Sequence, residues 1–106
     1  MVKKTNKLEP DVFADVYFLS TKEGGRKTPI STDILKCPLG IDGKYFESGL
    51  LLQKIGVINP GEYVKNVPII LLHRELLQDI IFPGSEFHLF SGKKIAQGKI
   101  VKVCWK

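Results

Sequence analysis

The sequence predicts an all-β fold, a small sandwich or barrel, from two observations. Short runs with the alternation of strands recur along the chain, and turn residues separate them. A third consideration favours closure into a barrel. A chain of 106 residues has little material to cover exposed sheet edges, and a closed barrel has none. That length suits one domain with one core, for which about 100 to 150 residues is usual.

Residues 1–9 are polar and lysine-rich and are expected to form a flexible basic arm, leaving 10–106 for the folded domain. From Val12 a strand begins. Val12, Ala14, Val16 and Phe18 alternate with Phe13, Asp15, Tyr17 and Leu19, and alternate side chains take opposite faces. The first set is the cleaner core face. The second is mixed: Asp15 favours water while Phe13, Tyr17 and Leu19 do not, which leaves an apolar outer patch or a strand covered on both sides.

The glycine pair in Glu23-Gly24-Gly25 supplies the turn that ends this strand. Arg26 to Ile30 resumes in extended form, with Pro29 placing it at a sheet edge or in a bend. Ser31 to Gly43 contains Pro38, Gly40 and Gly43 and reads as a long loop. Ser48-Gly49, between Tyr45-Phe46 and Leu50-Leu51-Leu52, reads as a short hairpin or bulge. Asn59-Pro60-Gly61-Glu62 is a turn, since Pro presets φ and Gly accepts the next position. Tyr63 to Leu72 follows as a strand.

Between Arg74 and Phe82 the spacing of Leu76, Leu77, Ile80 and Ile81 is helical, and Pro83-Gly84 stops it. A short helical insert of a turn or two is expected there. Phe87 to Phe90, a turn at Ser91-Gly92, and Ile95 to Trp105 complete the strands, with Gly98 marking a bulge or kink.

The sequence contains no apolar run near the roughly 18 residues of a membrane span. Its opening residues lack the apolar core of a signal peptide, so a cytoplasmic protein is the expectation. Cys37 and Cys104 are too few for a disulfide scaffold and are expected as reduced thiols. The net charge of +5 favours polyanions by steering, a property shared with many proteins that bind none.

The segment from Val12 to Ser20, running into Glu23-Gly24-Gly25-Arg26-Lys27-Thr28-Pro29, resembles the opening of the third domain of elongation factor Tu. That family shows an apolar residue, Ala, an acidic residue, Val-Tyr, Leu-Ser, Glu-Gly-Gly-Arg and Thr-Pro in the same order. Asn59 to Lys65 is similar to its Pro-Gly-Asp-x-Val loop. Phe87 to Val103, with Ser91-Gly92-Lys93 and Ala96-Gln97-Gly98, is similar to its closing hairpin. The resemblance spans most of residues 10 to 103 and implies a six-stranded Greek-key β-barrel.

The departures from that family bear on function. Its Tyr-Arg-Pro-Gln-Phe-like run after Thr-Pro is missing, and Ser31 to Tyr45 stands there without an arginine. The stretch between His73 and Phe87 is longer than the family's. No Walker sequence is present to cradle a nucleotide phosphate, so neither nucleotide nor GTP hydrolysis is expected.

The family's barrel holds aminoacyl-tRNA and docks on its neighbouring domains. The resemblance therefore implies Arg26 as an RNA-contact candidate, followed by the turn residues Lys93 and Lys94. An arginine fork suits phosphate, and turn lysines beside a glycine let a nucleic-acid backbone approach. Arg26 bracing its own turn, with Lys93 and Lys94 at a solvated tip, is the competing expectation. Phe13, Tyr17 and Leu19, with the 31–45 loop beside them, are the protein-interface candidates.

His73 and His88, far apart in sequence, and two unpaired cysteines lack metal-ligand spacing, so no metal or other cofactor is expected. Cys104 beside Trp105 is expected in the core. Cys37, before Pro38 in the loop, is a candidate for exposure but has no histidine near it in sequence to activate it. The resulting expectation is a non-catalytic module docking on a protein partner: an adaptor, a translation regulator or a toxin-neutralising immunity protein. A small module binding tRNA or another RNA is the alternative.

Overall fold

A computed structural model describes residues 9–105; apart from Glu9, the expected basic arm lies outside them. Six strands form: β1 (Val12–Phe18), β2 (Ile34–Ile41), β3 (Lys44–Leu51), β4 (Tyr63–Leu71), β5 (Glu86–Phe90) and β6 (Lys94–Val103). One helical turn, α1 (Arg74–Leu77), interrupts the connection from β4 to β5. The strands close into an antiparallel barrel in the order β1-β4-β3-β2-β5-β6. Strands β2, β3 and β4 meander, and β1 reaches β2 by a long connection yet lies beside β4. That is a Greek-key arrangement.

The core follows from alternation. Val12, Ala14, Val16 and Phe18 of β1 all face inward and are buried. They meet Leu39, Leu50, Val67, Ile69, Phe87, Leu89 and Ile100 from the other five strands. Bulges adjust this pattern. The register of β1 against β4 slips between Ala14 and Val16, where Asn66 takes a left-handed φ of 57°. The Asp15 carboxylate secures that slip by accepting the Asn66 N–H at 3.0 Å.

Several expectations need correction. Most of the stretch read as a loop between Ser31 and Gly43 is strand β2, paired with β3 from Ile34 to Ile41. Pro38 is tolerated because β2 registers with β5 only at Leu39 and Gly40, so the edge beside Pro38 is open and its missing N–H removes no ladder bond. The hairpin turn is Asp42-Gly43, both at positive φ (52° and 74°), as a two-residue type I′ turn requires. Ser48-Gly49 therefore runs straight through β3.

Arg26 to Ile30 joins no strand, and its pairing is a single bridge from Ile30 to Ile58. Gly98 is not a bulge either. The slip of β6 against β1 falls at Val101, between the pairs Phe13–Lys102 and Ala14–Ile100. Gly98 instead makes room for an aromatic ring: a Cβ there would stand 2.5 Å from Phe87 Cζ and 2.9 Å from the Asp15 carbonyl oxygen.

The helical insert is present but shorter than the spacing allowed. Four residues are helical, and their burial divides the leucines. Leu77 and Ile81 plug one end of the barrel, while Leu76 points outward. The molecule thus has two ends. One carries the connections 19–33, 52–62 and 91–93. The other carries the Asp42-Gly43 turn and the α1 segment.

Candidate functional site

At the end bearing the three connections, the chain brings distant residues together. The Leu19 N–H donates to the Ile95 carbonyl at 2.9 Å, which fixes the turn after β1 beside the Ser91–Lys93 turn before β6. Arg26 and Ile95 line one small crevice with Leu19 and Pro60. Arg26, Lys93 and Lys94 therefore share one end of the barrel, where Lys22, Lys27 and Lys54 also lie. Glu23, Asp33 and Glu62 are the acidic residues of the same connections. Cations outnumber carboxylates at this end.

The Glu-Gly-Gly-Arg turn has a physical logic. Gly24 has a φ of 95°, a region that a side chain makes unfavourable. Gly25 packs so closely on β1 that a Cβ would stand 2.1 Å from the Leu19 carbonyl oxygen. Glu23 ties the turn back to the strand, accepting the Tyr17 hydroxyl at 2.6 Å and the Ser20 N–H at 2.8 Å. The Tyr17 hydroxyl, then the Ser20 groups, hold the Glu23 carboxyl below its usual range. The hydrogen bond to Glu23 raises Tyr17 in turn.

Arg26 does not pair with Glu23. Its guanidinium folds onto Thr28, with Nε donating to the carbonyl at 3.3 Å and Nη2 to the hydroxyl at 3.4 Å. Contacts of that length are weak, so the side chain braces its own turn loosely and keeps donors free. Lys93 is exposed and Lys94 half-buried.

The protein-interface candidates occupy a different setting from the one the alternation suggested. Phe13, Tyr17 and Leu19 are only half exposed. Phe13 lies between Pro68 and Lys102, and Tyr17 between Tyr63 and Gln97. Leu19 is pressed under Gly25. The 31–45 segment does not serve as an adaptable loop beside them, because β2 stands across the barrel from β1.

Three strongly exposed apolar side chains on the connection from β4 to β5 were not singled out from the sequence as an interface. Leu72, Leu76 and Phe82 are 66%, 60% and 57% exposed. Helical spacing revealed the leucines, but not which of them faces out. Their segment is held firmly. The Leu72 N–H donates to the Glu47 carbonyl at 3.1 Å, and the Ile81 N–H to that of Leu77 at 2.9 Å.

The cysteines reverse their expected places. Both are free: Cys37 is buried in β2 and Cys104 is exposed. Cys37 faces the core because alternation along β2 turns it inward with Leu39 and Ile41. Burial pushes its thiol up to about 11, which keeps it protonated and unreactive at neutral pH. Cys104 follows the last ladder pair of β6, where its N–H donates to the Asp11 carbonyl and its side chain turns outward. His73 is exposed, 3.9 Å from the Glu75 carboxylate, and His88 is exposed on β5. Among the described residues, no three of His, Cys, Asp and Glu are grouped to hold a metal ion.

No protein-family model matches this chain, and comparison with curated proteins returns no match.

Proposed function

We propose that the chain is a non-catalytic binding module that docks on a protein partner through the helical end of its barrel. The observation that carries this reading is the exposure of Leu72, Leu76 and Phe82 on one connection, anchored by buried Leu77 and Ile81. Large apolar side chains on a rigid support make interface anchors, because little conformational freedom is lost on binding. The similarity to the third domain of elongation factor Tu supports the same reading. Leu76 and Phe82 lie in the stretch between His73 and Phe87 where this chain is longer than that family, and Leu72 directly precedes it, so the addition supplies most of the apolar surface. An adaptor, a translation regulator and a toxin-neutralising immunity protein all work in this way.

Photo-crosslinking tests the reading. A benzophenone amino acid at position 76 or 82, introduced in the source cell, is expected to trap one discrete protein. The same probe at Val57, exposed on the connection at the opposite end of the barrel, is the control. Equal labelling from all three positions would sink the proposal.

A second reading, a small RNA-binding module, is favoured by the meeting of Arg26, Lys93 and Lys94 at the opposite end. Titration of labelled tRNA at two salt concentrations tests it. Arg26→Ala and Lys93→Ala are each expected to weaken binding and to reduce the salt slope by about one unit. Absence of binding at low salt would remove this reading.

A further inference from the structure

A third surface belongs to neither end. The outer wall over β4, β1, β6 and β5 holds an open groove of about 450 Å³, with Gly98 and Phe87 at its floor. The ladder registers place its lining in two rungs. One runs Asp15–Lys99–Glu86, and the other Tyr63–Tyr17–Gln97–His88.

Both tyrosine hydroxyls are anchored, on different partners. The Tyr17 hydroxyl donates to Glu23, in the turn beyond the strand end, and the Tyr63 hydroxyl donates to Asp15 at 3.2 Å, two residues back along β1. Both Asp15 oxygens are engaged, since the other accepts the Asn66 N–H. Glu86, His88, Gln97 and Lys99 are exposed, and among the described residues none makes a side-chain hydrogen bond or ion pair.

The free groups define a ligand chemistry. Glu86 only accepts hydrogen bonds, Lys99 only donates, and Gln97 and neutral His88 do both. The lining sets two carboxylates, Asp15 and Glu86, against the Lys99 ammonium, a slight negative balance that disfavours an anion. A phosphodiester would face the carboxylates of Asp15 and Glu86. A wholly apolar ligand would strip water from four polar side chains without replacing their hydrogen bonds. A pyranose ring meets every requirement: its C–H face lies on an aromatic face, and each of its hydroxyls both donates and accepts.

We infer that this groove, with Tyr17 and Tyr63 as its platform and Glu86, His88, Gln97 and Lys99 as its polar wall, binds a neutral oligosaccharide. Its volume, about 450 Å³, lies in the range of about 300 to 1,000 Å³ usual for ligand sites. The site shares no lining residue with the proposed docking surface or with Arg26.

The test is a glycan array of neutral and charged oligosaccharides, followed by amide-shift mapping with the best binder. A neutral glycan is expected to be retained and to shift the amides of Asp15, Gln97 and Gly98. Gln97→Ala, a change at an exposed position, and Tyr63→Ala are each expected to weaken it by about tenfold, and Tyr45→Ala to leave it unchanged. Retention of no neutral glycan, or equal retention by Gln97→Ala, would overturn the inference. So would saturation of the same amides by a single-stranded oligouridylate, which would give the groove to nucleic acid.

Discussion

Asp11 clasps Arg74: the guanidinium Nη1 lies 3.1 Å from Asp11 Oδ1, while Oδ2 accepts the Leu71 N–H at 2.7 Å. One carboxylate at the start of the chain thus holds the end of β4 and the helical turn beside it. The Asp11 backbone continues the clasp, donating to the Ile69 carbonyl and accepting from Cys104. The burial of the pair is unequal, at 58% side-chain exposure for Arg74 and 10% for Asp11.

That inequality sets the first expectation. Asp11→Ala strands a buried N–H at Leu71, and such a loss costs about 1 to 3 kcal/mol. Arg74→Ala removes an exposed cation whose pairing contributes up to about 1 kcal/mol. Urea unfolding of the two variants is expected to show the larger loss for Asp11→Ala. Equal losses would mean that the ion pair, and not the backbone contact, carries the clasp.

The thiols are expected to separate by reactivity. With its thiol pushed up to about 11, buried Cys37 stays protonated in the folded chain, and exposed Cys104 is accessible. A colorimetric disulfide reagent at pH 8 should react at once with one thiol. The second should appear only on unfolding, and mass spectrometry should place the fast site at Cys104.

The Tyr17–Glu23 contact gives a pH dependence at both extremes. Glu23 is lowered from 4.5 in the folded chain, so its contribution is present above that value. It is lost as pH falls through the lower folded value. Tyr17 is raised from 10.0, so its contribution is present below 10 and lost as pH rises through the higher folded value. Tyr17→Phe removes the donor, and carboxyl NMR titration is expected to show Glu23 moving back toward its ordinary pKa. An unmoved Glu23 would show that the Ser20 groups suffice.

The turn motif yields a further contrast. At Gly25 a Cβ meets the Leu19 carbonyl oxygen at 2.1 Å, whereas at Gly24 it meets nothing within 4 Å. Gly24→Ala is limited to the strain of its positive φ, about 1 to 2 kcal/mol. Gly25→Ala forces the backbone of the turn away from β1 and is expected to lower the melting temperature further. The reverse order would contradict this packing.

Part of this molecule is written in local pattern. The period-two alternation of Val12 to Phe18 alone assigned the buried face of β1, because a strand has only two faces. The glycine and proline turns marked most strand ends. The spacing of Leu76, Leu77, Ile80 and Ile81 located α1. The β2 strand was obscured because Pro38 and Gly40 are breakers in isolation. Only the open stretch of edge between β2 and β5 makes the proline harmless, and that is a fact of sheet order. The Asp42-Gly43 signal was legible in principle, but the breakers around it outweighed it.

The candidate sites divide along the same line. Motif order alone pointed to Arg26, Lys93 and Lys94 as individual residues. Their shared place at one end of the barrel exists only because β1 pairs with β6, a contact between opposite ends of the sequence. Which leucine of the helical turn faces solvent, which cysteine is buried, and the union of Tyr17, Tyr63 and Gln97 in one groove were likewise decided by tertiary structure. The physical reason is common to all of them. Local sequence governs backbone preference and the alternation of faces, whereas exposure and neighbourhood depend on which strands lie side by side, and that is settled when the barrel closes.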